Sequence, residues 1–433
     1  MTDTTGFWKL AEEDPGRLAV VDPDGRQVTY GDLHAEANRL VHGLRALGLQ
    51  AGDGVATVLP NSIEMLALYF AATQAGWYLT PINHHLVGPE IAYIVDDCEA
   101  GALVVHERFS EAAQVAAGSI GLPEDRRFSV GRVPGFRPWE DLTADQPATA
   151  PGDRAAGAAM HYTSGTTGKP KGVRRRLSGA DPDVAAAGGG FLLRLFGTQA
   201  HDGNVHLCGS PLYHTAVLAF ASGSLHLGHP VVLMDRWTPE GMLDLIERHR
   251  VTHSHMVPTQ FHRLLALPEE VRARYDVSSL RSMVHAAAPC PVEIKQRMLD
   301  WWGPVVYEYY AATEGGGTVV TPEQWLERPG TVGLPWPTSE IRILDDAGQD
   351  VPTGEIGTVY MKLGQGDFEY FKDRGKTDAN RTAGFFTVGD VGYLDEGGYL
   401  FLCDRKSDMI ISGGVNIYPA EIEAALLTHP DVA

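Results

Sequence analysis

The chain has 433 residues, 44% of them hydrophobic and 21% charged, which is enough to bury a sizeable core without disulfide or metal staples. Lys plus Arg total 35 against 55 Asp plus Glu, and the resulting net charge of −20 excludes a nucleic-acid backbone as partner, because the only dense basic run is Arg174-Arg175-Arg176. No run approaches the ~18 consecutive apolar residues of a membrane span, the start carries no basic n-region, and Cys98, Cys208, Cys290 and Cys403 form no CxxC pair, so a reducing, cytoplasmic setting is expected.

In chain order, Thr29 is placed to cap a helix whose apolar face is Leu33, Ala37, Leu40, Val41, Leu44 and Leu47, stopped by Gly48. Residues 55–59 read as a strand ending at Pro60-Asn61, and Ser62 opens a helix that ends near Gly76. Residues 231–234, 251–257, 280–285 and 305–309 read as further strands. Between them lie helices from Thr238-Pro239 to Arg250, from Pro258, and over 291–302. Strands alternating with helices of ~10 or more residues spell βαβ units and parallel sheets. After Gly330 the texture changes to short strands (340–344, 355–362) divided by turns at Asp346-Ala347-Gly348 and Pro352-Thr353-Gly354. A new unit begins at Ser407, with Asp408-Met409-Ile410-Ile411, a glycine turn and a helix from Ala420. The expected fold class is α/β. It comprises two doubly wound α/β subdomains (about 1–195 and 196–330) and a small β-barrel-like subdomain (331–406), which together make one large domain at 1–406, followed by the start of a small α+β domain at 407–433.

The most informative segment is Tyr162-Thr163-Ser164-Gly165-Thr166-Thr167-Gly168-Lys169-Pro170-Lys171-Gly172, with four Ser/Thr hydroxyls, three glycines and two lysines in eleven residues. Glycines let the backbone curl its N–H groups onto an anion, hydroxyls donate to phosphate oxygens, and lysines supply point charge. Pro170 follows Gly168-Lys169 where a Walker A loop has Ser or Thr, so that motif is excluded. The segment 164–172 resembles the signature loop of the adenylate-forming superfamily, which includes acyl- and aryl-CoA synthetases, and later motifs follow in that family's order across essentially the whole chain.

Two of those motifs follow predicted strands, where ligands of open parallel sheets bind. The resemblance implies that the backbone of Ala286, Ala287, Ala288 and Pro289 walls the adenine slot, and that Tyr309, Tyr310 and Ala311 belong to it with Tyr310 stacking on the ring. It implies that Thr313 touches phosphate and that Glu314 holds Mg²⁺, an ion that favours one or two carboxylates plus phosphate oxygens. Asp390, in Phe386-Thr387-Val388-Gly389-Asp390, is implied for the ribose hydroxyls, and Arg405 for ribose or phosphate. Ser407 stands at the hinge position, where relatives often have Lys or Asp.

Ser210-Pro211-Leu212-Tyr213-His214 resembles the segment beside the acyl pocket. His214 has two readings, a substrate contact and a packed core histidine. No acidic residue lies between Pro211 and Pro230, which argues against an amino-acid substrate. Ala219, Gly223, residues 286–288 and Gly315-Gly316-Gly317 are small, which suits either a bulky hydrophobic acid or tight helix–sheet packing. His84-His85 and His253-Ser254-His255 lack a carboxylate or Cys at metal-ligand spacing, and Arg174-Arg175-Arg176 reads as a solvated basic face.

The chemistry implied is attack of a carboxylate on the α-phosphorus of ATP, giving acyl adenylate and pyrophosphate, then displacement of AMP by a thiol. Two unit charges ~4 Å apart repel by ~1 kcal/mol in water and several-fold more in a drier site. Cations are therefore needed, which is the role implied for Lys169, for Lys171 and for Mg²⁺ at Glu314. The family's further essential Lys sits on a C-terminal domain of which 407–433 is only the first turn, so the chain as given is expected to bind ATP and acyl adenylate but to adenylate poorly. The substrates and co-substrates expected are a small carboxylic acid, ATP and CoA, and the assembly a homodimer. Two rivals remain, delivery of the acyl group to a carrier protein or other acceptor, and a non-catalytic acyl or nucleotide sensor. The compact stretch 357–390 favours CoA, since fatty-acyl-AMP ligases carry an insertion there.

Overall fold

In the computed structural model, the described residues are 4–163, 169–363, 368–405, 410–412, 415–417, 419, 422 and 426. The chain forms two units, residues 1–237 with 368–371, and residues 238–367 with 372–433.

In the first unit the helix Tyr30–Ala46 starts at Thr29, whose hydroxyl accepts from the Asp32 amide while the Asp32 carboxylate reaches back to the Thr29 N–H. The helix Ile63–Ala75 is capped by Ser62 and ends at Gly76, which takes the left-handed φ of 72°. That helix is apolar nearly all round and is buried accordingly. A six-stranded parallel sheet runs in the order Arg137–Pro138, Arg127–Val130, Ala100–His106, Gly54–Val58, Tyr78–Pro81, Ala158–Ala159. Alternate residues of its central strands feed different cores. Val55, Ala102 and Val104 pack with Phe70, Trp77 and Leu40, whereas Ala56, Val58, Leu103 and Val105 pack with Ile91, Ile94 and Ala113. The strands His206–Cys208, Val231–Leu233 and Leu18–Val21 form a parallel set with Gln27–Thr29 antiparallel at its edge. His161–Thr163, Lys171–Arg174 and Glu369–Tyr370 make a three-stranded antiparallel sheet in which Thr163 faces Lys171.

In the second unit the parallel strands His253–Met256, Ser282–His285 and Val306–Ala312 alternate with the helices Pro258–Leu265 and Val292–Trp302. The predicted strand 251–257 starts later because the Val251 N–H closes the preceding helix on the Ile246 carbonyl. The predicted strand 305–309 runs on to Ala312, because Gly315–Val320 folds back and continues the ladder, pairing Tyr310 with Thr318 and Ala311 with Gly317. Tyr309 to Ala312 are thus strand residues, not a loop beyond the strand end. The strands Ser339–Leu344, Gly357–Leu363, Phe385–Phe386, Asp390–Leu394 and Leu400–Arg405 form an antiparallel sheet with Gly357–Leu363 at its centre. The turns expected at Asp346-Ala347-Gly348 and Pro352-Thr353-Gly354 form there, the first with Gly348 N–H on the Asp345 carbonyl.

Largely buried imidazoles of the first unit, three of them His34, His161 and His226, shape its response to acid. Burial pulls His34 and His226 down to about 4 and His161 to about 3 from the ordinary 6.5. Each is neutral when folded and protonates more readily when unfolded. Their contribution is therefore intact above about pH 6.5 and is lost progressively as pH falls toward 4. Urea midpoints should drop steadily between about pH 7 and about pH 5, and a flat profile across that window would contradict this assignment.

Candidate functional site

The second unit gathers most of the residues expected around a nucleotide. Strand neighbours point to opposite faces, and Tyr309 and Tyr310 obey this. Tyr309 is buried, its hydroxyl 3.1 Å from His255 Nε2, so it serves the interior. Tyr310 is half-buried on the other face, and its hydroxyl donates to Asp390 Oδ2 at 2.6 Å. Asp390 opens the strand Asp390–Leu394 and pairs in register with Arg405. Glu314 is 4% exposed at the turn between the two strands, next to half-buried Thr313. Beyond that turn Gly317 lets the strands meet closely. A Cβ there would stand 2.2 Å from the Tyr310 carbonyl oxygen and 2.8 Å from the Trp336 ring.

The 286–289 segment leaves the end of the strand Ser282–His285. Ala286 is buried and bonded to the Met256 carbonyl, whereas Ala287, Ala288 and Pro289 are exposed. Ala287 sits at φ 72°, a left-handed conformation that costs an L side chain roughly 1–2 kcal/mol. Beneath this segment Lys295 Nζ lies 2.6 Å from Glu308 Oε2, and His285 Nε2 lies 3.4 Å from the same oxygen. Burial draws the Lys295 ammonium down and the Glu308 carboxyl up, each opposed by its partner's charge. Burial, then Lys295 and His255, hold His285 well below its ordinary value, so its ring is neutral.

The first unit holds the flanks of the hydroxyl-rich loop and the acyl-side residues. Ser164, Gly165, Thr166, Thr167 and Gly168 lie outside the described residues, as do Ser407, Asp408 and Ala420. Thr163 and Lys171 flank the loop on paired strands, and Lys169 Nζ rests 4.6 Å from the centre of the Tyr93 ring. Tyr162 points to the opposite face from Thr163 and donates to Asp97 at 2.7 Å. His214 precedes the helix Thr215–His226, its ring 4.4 Å from that of Tyr213, and burial lowers its pKa. Arg174 corrects the expectation of a solvated basic face, since its guanidinium sits 4.4 Å from the Tyr78 ring and 4.6 Å from Phe371.

Two features of this unit escaped sequence reasoning. Asn61 is buried and donates to the Ser210 and Met234 carbonyls at 2.9 and 3.0 Å while accepting from Leu212 N–H at 2.7 Å, so one amide fixes the segment that carries His214. Its position just past a strand's carboxyl end was the available signal. Asn61 also lines a cavity of about 500 Å³ together with His84, His85, Arg108, Arg236 and Trp237. His84 is stacked on Phe109 at 4.7 Å and pushed down to about 4 by burial, while Arg108 pairs with Asp235. In the second unit, Lys295 was betrayed by a charge on an apolar stripe, Lys295, Met298, Leu299 and Trp302.

Residues 7–366 match the family model described as AMP-binding enzyme. The chain is 31% identical over 451 residues to a fatty acid–[acyl-carrier-protein] ligase of Streptomyces coeruleorubidus, covering 100% of this chain and 82% of the relative. It is 32% identical over 434 residues to a feruloyl-CoA synthase of an Amycolatopsis species, covering 99% and 84%. Among solved structures it resembles the o-succinylbenzoate CoA synthetase of Bacillus subtilis in complex with its acyl-adenylate intermediate, with TM-score 0.81, 28% identity, and 99% and 83% of the two chains covered. The α/β architecture, the strand-borne Tyr310 with its Asp390 partner, and these likenesses agree, and the chain belongs to the AMP-binding enzyme family.

Proposed function

We propose that this chain activates a bulky hydrophobic or aromatic carboxylic acid and that the complete protein joins it to CoA, in two steps. The carboxylate attacks the α-phosphorus of ATP, the bond to pyrophosphate breaks, and the acyl adenylate forms. The CoA thiol then attacks the acyl carbon and AMP leaves. The observation that carries the reading is the Tyr310–Asp390 hydrogen bond of 2.6 Å, with buried Glu314 four residues beyond Tyr310. The Tyr310 ring offers a stacking face for adenine, and Asp390 an acceptor pair for ribose hydroxyls. A single carboxylate beside a hydroxyl suits Mg²⁺, which takes its remaining oxygens from the triphosphate, so Glu314 would hold the ion and Thr313 would meet phosphate. Bound there, Mg²⁺ supplies charge that offsets the meeting of two anions. Lys169, Lys171 and the hydroxyls of 163–167 serve the same end, and Arg405 serves the ribose or phosphate.

His214, kept neutral by burial, donates or accepts at the acyl side without adding charge. The relatives named above act on fatty and aromatic acids, which supports a hydrophobic acid here. In a chain of net charge −20, a polyanionic thiol needs local cations. The cavity with Arg108, Arg236, His85 and the Trp237 indole is the fitting place. We take the setting to be cytoplasmic and the large domain to run to residue 406. A carrier-protein acceptor is the second reading, favoured by the ligase of Streptomyces coeruleorubidus.

Pyrophosphate exchange into ATP, run with short, long-chain and aromatic acids, tests the first step. Exchange should depend on both acid and Mg²⁺ and be fastest with a bulky or aromatic acid. Adding CoA or a loaded carrier protein then separates the two acceptors. Absence of acid-dependent exchange, together with no nucleotide binding by calorimetry, would overturn the reading.

A further inference from the structure

We propose that Tyr93 is a positioning residue for the triphosphate, bracing the Lys169-Pro170 flank of the hydroxyl-rich loop against the helix Gly88–Asp97; this rests on the nucleotide reading above. The Tyr93 hydroxyl donates to the Pro170 carbonyl at 3.1 Å. Proline has no N–H, so that carbonyl is the one backbone group by which Pro170 can be held. The ring of the same tyrosine receives the Lys169 ammonium, with Nζ 4.6 Å from its centre. One side chain thus grips two consecutive residues, the first by its charge and the second by its backbone. Tyr93 is half-buried and packs on the core that includes Ile91, Ile94 and Val105, so its own place is set from below, whereas Lys169 is exposed.

The opposite flank is tied to the same helix. Asp97 follows Tyr93 by four residues, which puts both on one helix face. Asp97 Oδ2 accepts from the Tyr162 hydroxyl at 2.7 Å. Tyr162 pairs with Gly172 across the ladder, and a Cβ on Gly172 would stand only 3.1 Å from Tyr162 Cε2, so the bare glycine leaves room for the ring beside the partner strand. The ladder fixes the two flanks to each other, and the two hydroxyl bonds fix both to one helix. A lysine is a point charge on a flexible stem. Holding its ammonium on a ring restricts that stem before a phosphate arrives, which lowers the ordering cost of binding. AMP, which has no β- or γ-phosphate, should be indifferent to the brace.

The test compares wild type, Tyr93→Phe, Tyr162→Phe, Lys169→Met and the double variant Tyr93→Phe with Lys169→Met. Readouts are Tm and, by calorimetry with Mg²⁺ present, the Kd of a non-hydrolysable ATP analogue and the Kd of AMP. Loss of one hydrogen bond in Tyr93→Phe should raise the analogue's Kd about fivefold and leave that of AMP within about twofold. Tyr162→Phe cuts the other tie and should show the same selective loss. With Lys169 already replaced, Tyr93→Phe should add less than about twofold, because the brace acts through that cation. Unchanged analogue affinity in either folded tyrosine variant would overturn the brace. Equal losses for AMP and the analogue would also overturn it, as would an undiminished loss on the Lys169→Met background. Failure of Tyr93→Phe to fold would do the same, because the hydroxyl would then be holding the fold. A wild type that binds neither nucleotide would instead refute the function itself.

Discussion

Glu314→Gln should lower acid-dependent pyrophosphate exchange by ~10²–10³-fold while AMP affinity stays within a few-fold. The amide has the carboxylate's shape and keeps the buried site filled, so the fold is not at risk. It has lost the negative charge that would hold a divalent cation against the triphosphate. AMP carries no β- or γ-phosphate and, in the proposed site, would rely on Tyr310 and Asp390, whose 2.6 Å contact the substitution leaves alone. The defect should shrink as Mg²⁺ is raised, because weaker binding is partly restored by mass action. Rates measured across a magnesium titration give the answer. A variant as fast as wild type at limiting Mg²⁺ would remove Glu314 from the ion's coordination.

Gly317→Ala should cost more than the ~1–3 kcal/mol of ordinary overpacking and abolish nucleotide binding at the same time. The added methyl would meet the Tyr310 carbonyl oxygen at 2.2 Å and the Trp336 ring at 2.8 Å. Backbone cannot swing aside as a flexible side chain does, so the strands Val306–Ala312 and Gly315–Val320 must part. They part where Ala311 pairs with Gly317, next to Tyr310. Gly152→Ala is the matched control, with nothing within 4 Å of its would-be Cβ. Thermal unfolding with and without AMP should show a lower Tm and no ligand shift for the Gly317 variant, and wild-type behaviour for the control.

Helix starts were legible in the sequence because caps are local. Thr29, Ser62 and Thr238 each accept from an amide three residues ahead, and each stands just before an apolar repeat. Strand ends were less legible because a partner decides them. Tyr309 to Ala312 became strand only when Gly315–Val320 returned alongside. Tyr310, Glu314 and Asp390 are proposed for the nucleotide from motifs, but the bond between Tyr310 and Asp390 spans 80 residues and no local pattern encodes it. Asn61 likewise acts on residues about 150 positions away. Arg174 was misjudged for a related reason. A run of three arginines looks solvated until distant Phe371 closes over one of them.

The short excursion 368–371 has a bearing on how this polypeptide can be divided. Glu369–Tyr370 supplies the outer strand beside Lys171–Arg174, while the residues on either side of the excursion belong to the other unit. No single cut can therefore release the first unit whole. A piece ending at Trp237 would expose the backbone donors and acceptors of Val173 and Arg174 along a bare sheet edge, inviting self-association. Thr163 and Lys171 lie on the other two strands of that same sheet, so the sheet is completed only after some 200 further residues have left the ribosome.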